Sequence, residues 1–191
     1  MSGIPRRLAE HSLNVLKGCK PVKQTLRRFL EPKQQAMGEE LAKLLEAGFI
    51  RDIKHPDWLA NLVMVPKKDK SWCLRVDFKD LNKAFPKDPL PLPCIDHIID
   101  ATAGHDSLCF LDAYSEYHQI KMVESNQAAT AFITPYGPLC FNTMPFGLKN
   151  AGATYQRMIQ TCMEKQISKT VEAYVDDMVI KTRHVETLID D

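Results

Sequence analysis

Four prolines within eight residues restrict the fold of this chain more than any other feature: Pro86, Pro89, Pro91 and Pro93. Proline has no backbone N–H and a fixed φ, so such a segment cannot form a regular helix or a central strand. The chain must cross this stretch in extended form. The sequence therefore predicts two packed units that meet near residue 88.

The segment before the prolines predicts a small mixed unit. Apolar residues spaced three or four apart and followed by Gly48 indicate an amphipathic helix at about 33–47. Three strand-like runs come next, at Phe49–Ile53, Asn61–Val65 and Trp72–Phe78. The last two are separated by a charged turn.

Residues 1–34 show no sustained periodicity and precede this unit as a basic arm. Residues 1–35 carry eight Lys and Arg against two Glu, although the net charge of the whole chain is only +1. A basic arm on an acidic body is typical of a nucleic-acid contact joined to a carboxylate metal site. A solvated linker explains the arm alone equally well.

The segment after the prolines again mixes helices and strands. A short helix is expected at Ile95–Thr102, and Asn150 can cap a helix that runs to about Glu164. The predicted strands are Leu108–Leu111, which looks buried and ends at Asp112, and the hairpin of Phe132–Thr134 and Leu139–Thr143.

Two adjacent acids interrupt an apolar, β-forming run near the end of the sequence. Val171–Val175 and Met178–Lys181 predict two strands joined at Asp176 and Asp177. Neighbouring carboxylates repel each other, so their adjacency needs a reason. An ordinary Asp-Asp hairpin turn is one reason, and a bound divalent cation is another.

Asp112 favours the cation, because it also closes a strand. Three acids at two neighbouring strand ends could hold two magnesium ions for phosphoryl transfer. Neighbouring strand residues face opposite sides, so Asp112 and Asp176 are the expected shared ligands and Asp177 the more peripheral one.

The sequence predicts no zinc site and no membrane span. The six cysteines are scattered, and Cys94 with His97 has no further ligands nearby. No apolar run approaches the roughly 18 residues of a membrane span, and the N-terminus lacks the apolar stretch of a secretory signal. We expect an intracellular protein with reduced, mostly buried thiols.

Six ordered motifs extend over nearly the whole chain. They are Pro56–Asn61, Leu81–Lys83, Phe110–Asp112, Tyr117–Ile120, Met144–Ala151 and Tyr174–Asp177. Leu81–Lys83 resembles the fingers motif of reverse transcriptases, Phe110–Asp112 their first catalytic strand, and Tyr174–Asp177 their signature box. The others are similar to plant gypsy-type LTR retrotransposon polyproteins.

The resemblance implies an α+β fold of the right-hand polymerase type, with fingers and palm present and the thumb absent. The implied segments are a basic arm at 1–34, fingers at 35–87 and 120–150, and palm at 88–119 and 151–191.

The resemblance also implies RNA-directed DNA polymerase activity, a nucleotidyl transfer from a dNTP to a primer 3′-hydroxyl on an RNA or DNA template. Two Mg²⁺ ions, or Mn²⁺, would be held by Asp112, Asp176 and Asp177. The thumb and RNase H segments of the same polyprotein would be partners, and no membrane is implied. The expected location is the cytoplasm, in virus-like particles of an intact element.

The resemblance further assigns a dNTP pocket. Lys67 and Lys68 would neutralise the triphosphate, and Phe146 would line the pocket. Tyr117 would be a steric gate against a ribose 2′-hydroxyl, and the carbonyl of Ala113 would be an extra metal ligand. Without the resemblance, the lysines would be a solvated turn and Tyr117 a core aromatic.

Two positions depart from the family pattern. Relatives have Arg where this chain has Cys73, and Arg75 could reach the same cleft because alternate strand residues face one side. Relatives have Gly or Ala where this chain has Glu116, whose carboxylate would crowd the nucleotide and repel its triphosphate. The sequence therefore favours a reverse transcriptase domain, degenerate in this copy if these changes are harmful. The alternatives are an inactive nucleic-acid-binding fragment and a carboxylate metal phosphodiesterase.

Overall fold

The computed structural model describes residues 3–67, 71–113 and 115–183. The helices are α1 (Glu31–Glu46), α2 (Lys79–Lys83), α3 (Ile95–Thr102), α4 (Glu124–Gln127) and α5 (Ala151–Cys162). The strands are β1 (Glu10–His11), β2 (Ile50–Asp52), β3 (Ala60–Pro66), β4 (Trp72–Val76), β5 (Ser107–Asp112), β6 (Lys121–Met122), β7 (Phe132–Thr134), β8 (Gly137–Phe141), β9 (Val171–Tyr174) and β10 (Asp177–Thr182). In these ranges no helix has both the length and the apolar composition to cross a membrane.

A five-stranded sheet has the order β2-β8-β7-β3-β4. β3 and β4 are antiparallel, with Leu62 opposite Val76, and β3 runs parallel to β7. α1 packs on this sheet and buries Met37 and Leu41, as the apolar spacing predicted. The helix and three strands predicted before the prolines are all present, whereas α2 was not predicted.

A three-stranded antiparallel sheet has the order β5-β10-β9. Helices α3 and α5 pack against β9. Lys181 of the central strand is buried, and its ammonium group donates to Glu172 at 2.7 Å and to the Ala101 carbonyl at 2.9 Å. The buried charge is therefore paired and hydrogen-bonded.

The exposure of β5 contradicts one prediction. Leu108–Leu111 was expected to be a buried strand, yet Phe110 is 74% exposed and Leu111 is 42% exposed. β5 is an edge strand that pairs only with β10 in the sheet. An apolar run indicates a strand, but it does not tell a covered strand from one whose apolar side chains face solvent.

The basic arm lies along the body of the protein. β1 pairs in parallel with β6, and the side chains of His11 and Leu13 are almost fully buried. Further on, the Asn61 amide donates to the Gln24 side chain at 3.2 Å and to the Thr25 carbonyl at 2.7 Å. The interpretation as a solvated linker is therefore wrong for this part of the arm.

The proline segment forms no helix or strand, as predicted, and is attached to α5. Arg157 donates to both carboxylate oxygens of Asp88, each at 2.6 Å. Asn150 accepts from the Asp88 N–H at 3.0 Å and donates to the Pro86 carbonyl at 2.9 Å. Asn150 does precede α5, but its side chain makes no capping bond, because it bonds the proline segment instead.

Candidate active site

Three carboxylates lie at one end of the three-stranded sheet. Asp177, the first residue of β10, lies directly opposite Asp112, the last residue of β5. Asp176 precedes it in the turn from β9, and its carbonyl accepts the Ala113 N–H at 3.1 Å. Because β5 and β10 are antiparallel, the end of one strand meets the start of the other.

The turn that presents these acids is displaced from the predicted one. Tyr174 pairs with Asp177, so the two central residues of the turn are Val175 and Asp176. Val175 has a φ of +54°, a left-handed conformation that is unfavourable for a β-branched residue. A positive φ at this position is what tight hairpin turns require. Asp177 therefore belongs to the strand ladder, whereas the sequence placed it in the turn.

The donor chemistry of the three acids fits a divalent cation, because magnesium prefers oxygen ligands. Asp112 and Asp177 are exposed and line an open groove of about 420 Å³. Within the described ranges, however, no three His, Cys, Asp or Glu side chains are close enough together to form a ready metal site. The backbone thus brings the carboxylates to one place without gathering their oxygens around one point.

A second cavity, of about 470 Å³, lies between α1, β4 and the loop before α5. Three of the predicted nucleotide-binding residues line it, namely Lys67, Arg75 and Phe146. Cys73 lines the same cavity, as expected of a residue two positions from Arg75 on a strand. Lys68 lies outside the described residues.

Tyr117 does not line this cavity itself but packs against Phe146, which does. Its ring centroid is 4.7 Å from that of Phe146, edge to face, and 6.0 Å from that of Tyr155 on α5. Burial raises the pKa of the Tyr117 hydroxyl, and the charges of Asp176 and Glu116 raise it further. The ring is therefore fixed by packing and lies close to the acidic end of the sheet.

Glu116 is buried beside the same groups. Its side chain is only 7% exposed. Burial raises the pKa of its carboxyl, and repulsion from Asp176 and Asp112 acts in the same direction. Ser115, and not Glu116, lines the 470 Å³ cavity. The predicted crowding of a nucleotide thus has no support in the lining of this cavity, and the charges of Asp176 and Asp112 act on the buried Glu116.

The sequence did not single out two residues near the site. His118 stacks on Phe49 at 4.7 Å, and burial lowers its pKa to about 4, so its ring is neutral at pH 7. Gln156 is 1% exposed and hydrogen-bonds the backbone of Ala173 in β9 and of Val175 in the turn. A polar residue three positions before Ile159 on the apolar face of a predicted helix was a usable signal for Gln156. His118 lies within the Tyr117–Ile120 motif, but the sequence assigned no role to its side chain.

Comparison with protein families and curated proteins gives one consistent result. Residues 65–190 match the family described as reverse transcriptase (RNA-dependent DNA polymerase). The chain is 35% identical over 153 residues to the retrovirus-related Pol polyprotein from transposon opus of Drosophila melanogaster. This match covers 78% of the chain and 15% of the polyprotein. It is 32% identical over 151 residues to the transposon Tf2-3 polyprotein of Schizosaccharomyces pombe. That match covers 79% of the chain and 11% of the polyprotein. The chain thus spans less than a sixth of the length of these relatives.

Solved structures share the fold. The native protease-reverse transcriptase of prototype foamy virus matches with a TM-score of 0.82 and 18% identity, over 93% of this chain and 24% of that one. The foamy viral enzyme in complex with an RNA/DNA hybrid matches with a TM-score of 0.80 and 18% identity, over 91% of this chain and 23% of that one. The mixed sheets and helices are therefore the predicted fingers and palm. The chain belongs to the reverse transcriptase family of RNA-directed DNA polymerases.

Proposed function

We propose that this chain carries out template-directed DNA synthesis as part of a retrotransposon polyprotein. Its substrates would be a dNTP and the 3′-hydroxyl of a primer on an RNA or DNA template. The observation that carries the proposal is the β5–β10 register, which puts Asp177 opposite Asp112 and leaves Asp176 in the adjoining turn. Relatives of the family are transposon polyproteins, and a foamy viral enzyme of the same fold is solved with an RNA/DNA hybrid.

Asp112, Asp176 and Asp177 would hold two Mg²⁺ ions, or Mn²⁺, and the Ala113 carbonyl would be an additional ligand. Such ions activate an attacking hydroxyl and stabilise a departing pyrophosphate. Asp112 and Asp176 are the proposed shared ligands, and Asp177, which lines the same groove as Asp112, would be a further ligand. The carboxylates would supply negative charge that draws the ions to this end of the palm sheet.

The 470 Å³ cavity would receive the dNTP. Lys67 and Arg75 would offset the charge of the triphosphate, together with Lys68. Tyr117, held edge to face against Phe146, would exclude a ribose 2′-hydroxyl. These roles follow from the family resemblance, and the cavity supports them by bringing Lys67, Arg75 and Phe146 to one place.

The remaining functions of the polyprotein would come from other segments. A thumb and an RNase H segment would complete the enzyme, and the reaction would take place in cytoplasmic virus-like particles. The support is that the curated relatives are polyproteins of which this chain spans 15% or less.

Primer extension by Asp112→Asn tests this function. The variant keeps the size of the side chain and removes its charge, and we expect the extension rate to fall about a thousandfold. Asp106→Asn is the matched control, because Asp106 is an exposed acid just before the other end of β5. Equal extension rates for the two variants would contradict the proposal.

A catalytically inactive nucleic-acid-binding fragment is a second candidate. Two observations favour it: Cys73 lines the cavity where relatives have Arg, and Glu116 is buried beside the carboxylates. Such a fragment would bind template and primer in a salt-sensitive manner but would not extend the primer. A phosphodiesterase would leave the fingers unexplained.

A further inference from the structure

We infer that Gln156 is a positioning residue that holds the turn between β9 and β10 in the conformation that presents Asp176. The inference rests on the proposed function, because it concerns the same carboxylates. Gln156 lies on α5, outside the strands that carry the acids, and its side chain is only 1% exposed.

The turn requires an external restraint. Val175 has a φ of +54°, and its β-branched side chain makes this conformation less favourable than it would be for glycine. Strained residues of this kind persist only where the surrounding structure holds them. The restraint must therefore come from groups that contact the backbone of the turn.

The Gln156 side chain makes one such contact with the turn itself and a second with β9 just before the turn. Its amide oxygen accepts the Val175 N–H at 2.8 Å, and its amide nitrogen donates to the Ala173 carbonyl at 3.1 Å. Both bonds are buried, so removing the amide oxygen or the amide nitrogen of Gln156 would leave a buried backbone group without its hydrogen bond. A carboxamide has the donor and the acceptor that these two bonds need. Methionine has a similar length but can replace neither bond.

The restraint extends from the turn to the carboxylates. Asp176 directly follows Val175, and its carbonyl accepts the N–H of Ala113, the residue after Asp112. A change in the Val175 backbone would therefore shift Asp176 relative to Asp112. The Val175 side chain also lies near α5, since a Cβ at Gly152 would be 3.9 Å from both of its methyl groups. The helix is thus a rigid support for the turn.

Gln156→Met in the full chain tests this inference, with Gln160→Met as the matched control. Gln160 lies one turn further along α5 and is exposed, so the control makes the same chemical change without touching the turn. Two readouts separate positioning from general stability: hydrogen exchange of the Val175 amide, and Mn²⁺ affinity measured by electron paramagnetic resonance. We expect exchange at Val175 to be about tenfold faster, and Mn²⁺ binding about tenfold weaker, in Gln156→Met alone.

Adding Val175→Gly to Gln156→Met supplies a rescue. Glycine adopts a positive φ without strain, so the turn no longer needs the restraint, and Mn²⁺ affinity should return most of the way to that of the native chain. If Gln156→Met does not fold, Gln156→Asn replaces it. Its amide is one methylene shorter and cannot reach both backbone groups.

The outcomes separate this inference from the proposed function. Val175 exchange and Mn²⁺ affinity equal to those of Gln160→Met would overturn the role of Gln156, even if the native chain extends primers. If the native chain binds no Mn²⁺, the proposed function fails, and exchange at Val175 alone then decides whether Gln156 holds the turn.

Discussion

The ring of Tyr117 meets the ring of Phe146 edge to face, with 4.7 Å between their centroids. Tyr155 supports Tyr117 from α5, so the ring has little freedom to move. A ring held in this way can exclude a ribose 2′-hydroxyl by its size alone. The hydroxyl of Tyr117 is not needed for that exclusion.

Tyr117→Ala should therefore weaken the preference for deoxynucleotides. We expect the ratio of kcat/KM for dNTP to that for rNTP to fall by about tenfold to a hundredfold, whereas Tyr117→Phe should keep it. Tyr136→Ala is the control, since Tyr136 is 72% exposed. An unchanged ratio in Tyr117→Ala would mean that the ring is only a packing residue.

Arg75→Ala should raise the KM for dNTP about tenfold and change kcat less, because it would remove the proposed charge-assisted hydrogen bond to the triphosphate. Lys54→Ala, an exposed cation in the loop after β2, is the control. Cys73→Arg should act in the opposite sense and lower KM. If Arg75→Ala and Lys54→Ala have the same KM, Arg75 does not take the place of the arginine that the family resemblance implies at position 73.

Glu116→Gln should stabilise the folded chain at neutral pH. Burial raises the folded-state pKa of Glu116 above its ordinary value of 4.5, so the folded state favours the protonated form. The contribution of Glu116 to the stability of the folded chain is then fully present below pH 4.5 and is lost as pH rises through the raised pKa. Thermal unfolding from pH 4 to 8, in EDTA, should show a Tm gain for Glu116→Gln that grows with pH to about a few degrees. Glu124 is exposed, so the Tm difference between Glu124→Gln and the native chain should not grow with pH. A Tm difference for Glu116→Gln that does not change with pH would count against burial of a charged carboxylate.

His11 should make the fold sensitive to acid. Burial lowers its pKa from 6.5 to about 4, while the charge of Asp88 acts weakly in the other direction. Between these two values the unfolded chain binds more protons than the folded chain, so stability is lost as pH falls from 6.5 to 4. Between pH 7 and pH 4 the unfolding free energy of His11→Gln should therefore fall by roughly 2–3 kcal/mol less than that of the native chain. His97 is exposed, so His97→Gln should lose as much stability between pH 7 and pH 4 as the native chain does. An equally large loss in His11→Gln would contradict the role of His11.

Periodicity predicted most of the elements, because helices and strands bury apolar residues at regular spacing. Met37 and Leu41 of α1 are buried as their spacing indicated, and the helix at Ile95–Thr102 has the predicted bounds. Local spacing carries no information on what covers an element. The exposed side chain of Phe110 on β5 could not be foreseen for that reason.

The candidate site was predicted in its residues but not in its geometry. Sequence order indicated that Asp112, Asp176 and Asp177 meet at neighbouring strand ends. The position of the turn depends on which residue accepts a positive φ, and a valine gives no warning of that conformation. The two bonds from Gln156 are long-range contacts, so they became visible only once α5 was placed against the hairpin.

The most direct test of the account is single-nucleotide extension of a labelled primer on an RNA template by the native chain, with binding measured on the same samples. We expect one complementary deoxynucleotide to be added with Mg²⁺ or Mn²⁺, and EDTA to abolish the addition. Salt-sensitive binding of template and primer with no extension at any concentration of either metal would contradict it, and would establish the chain as a binding fragment.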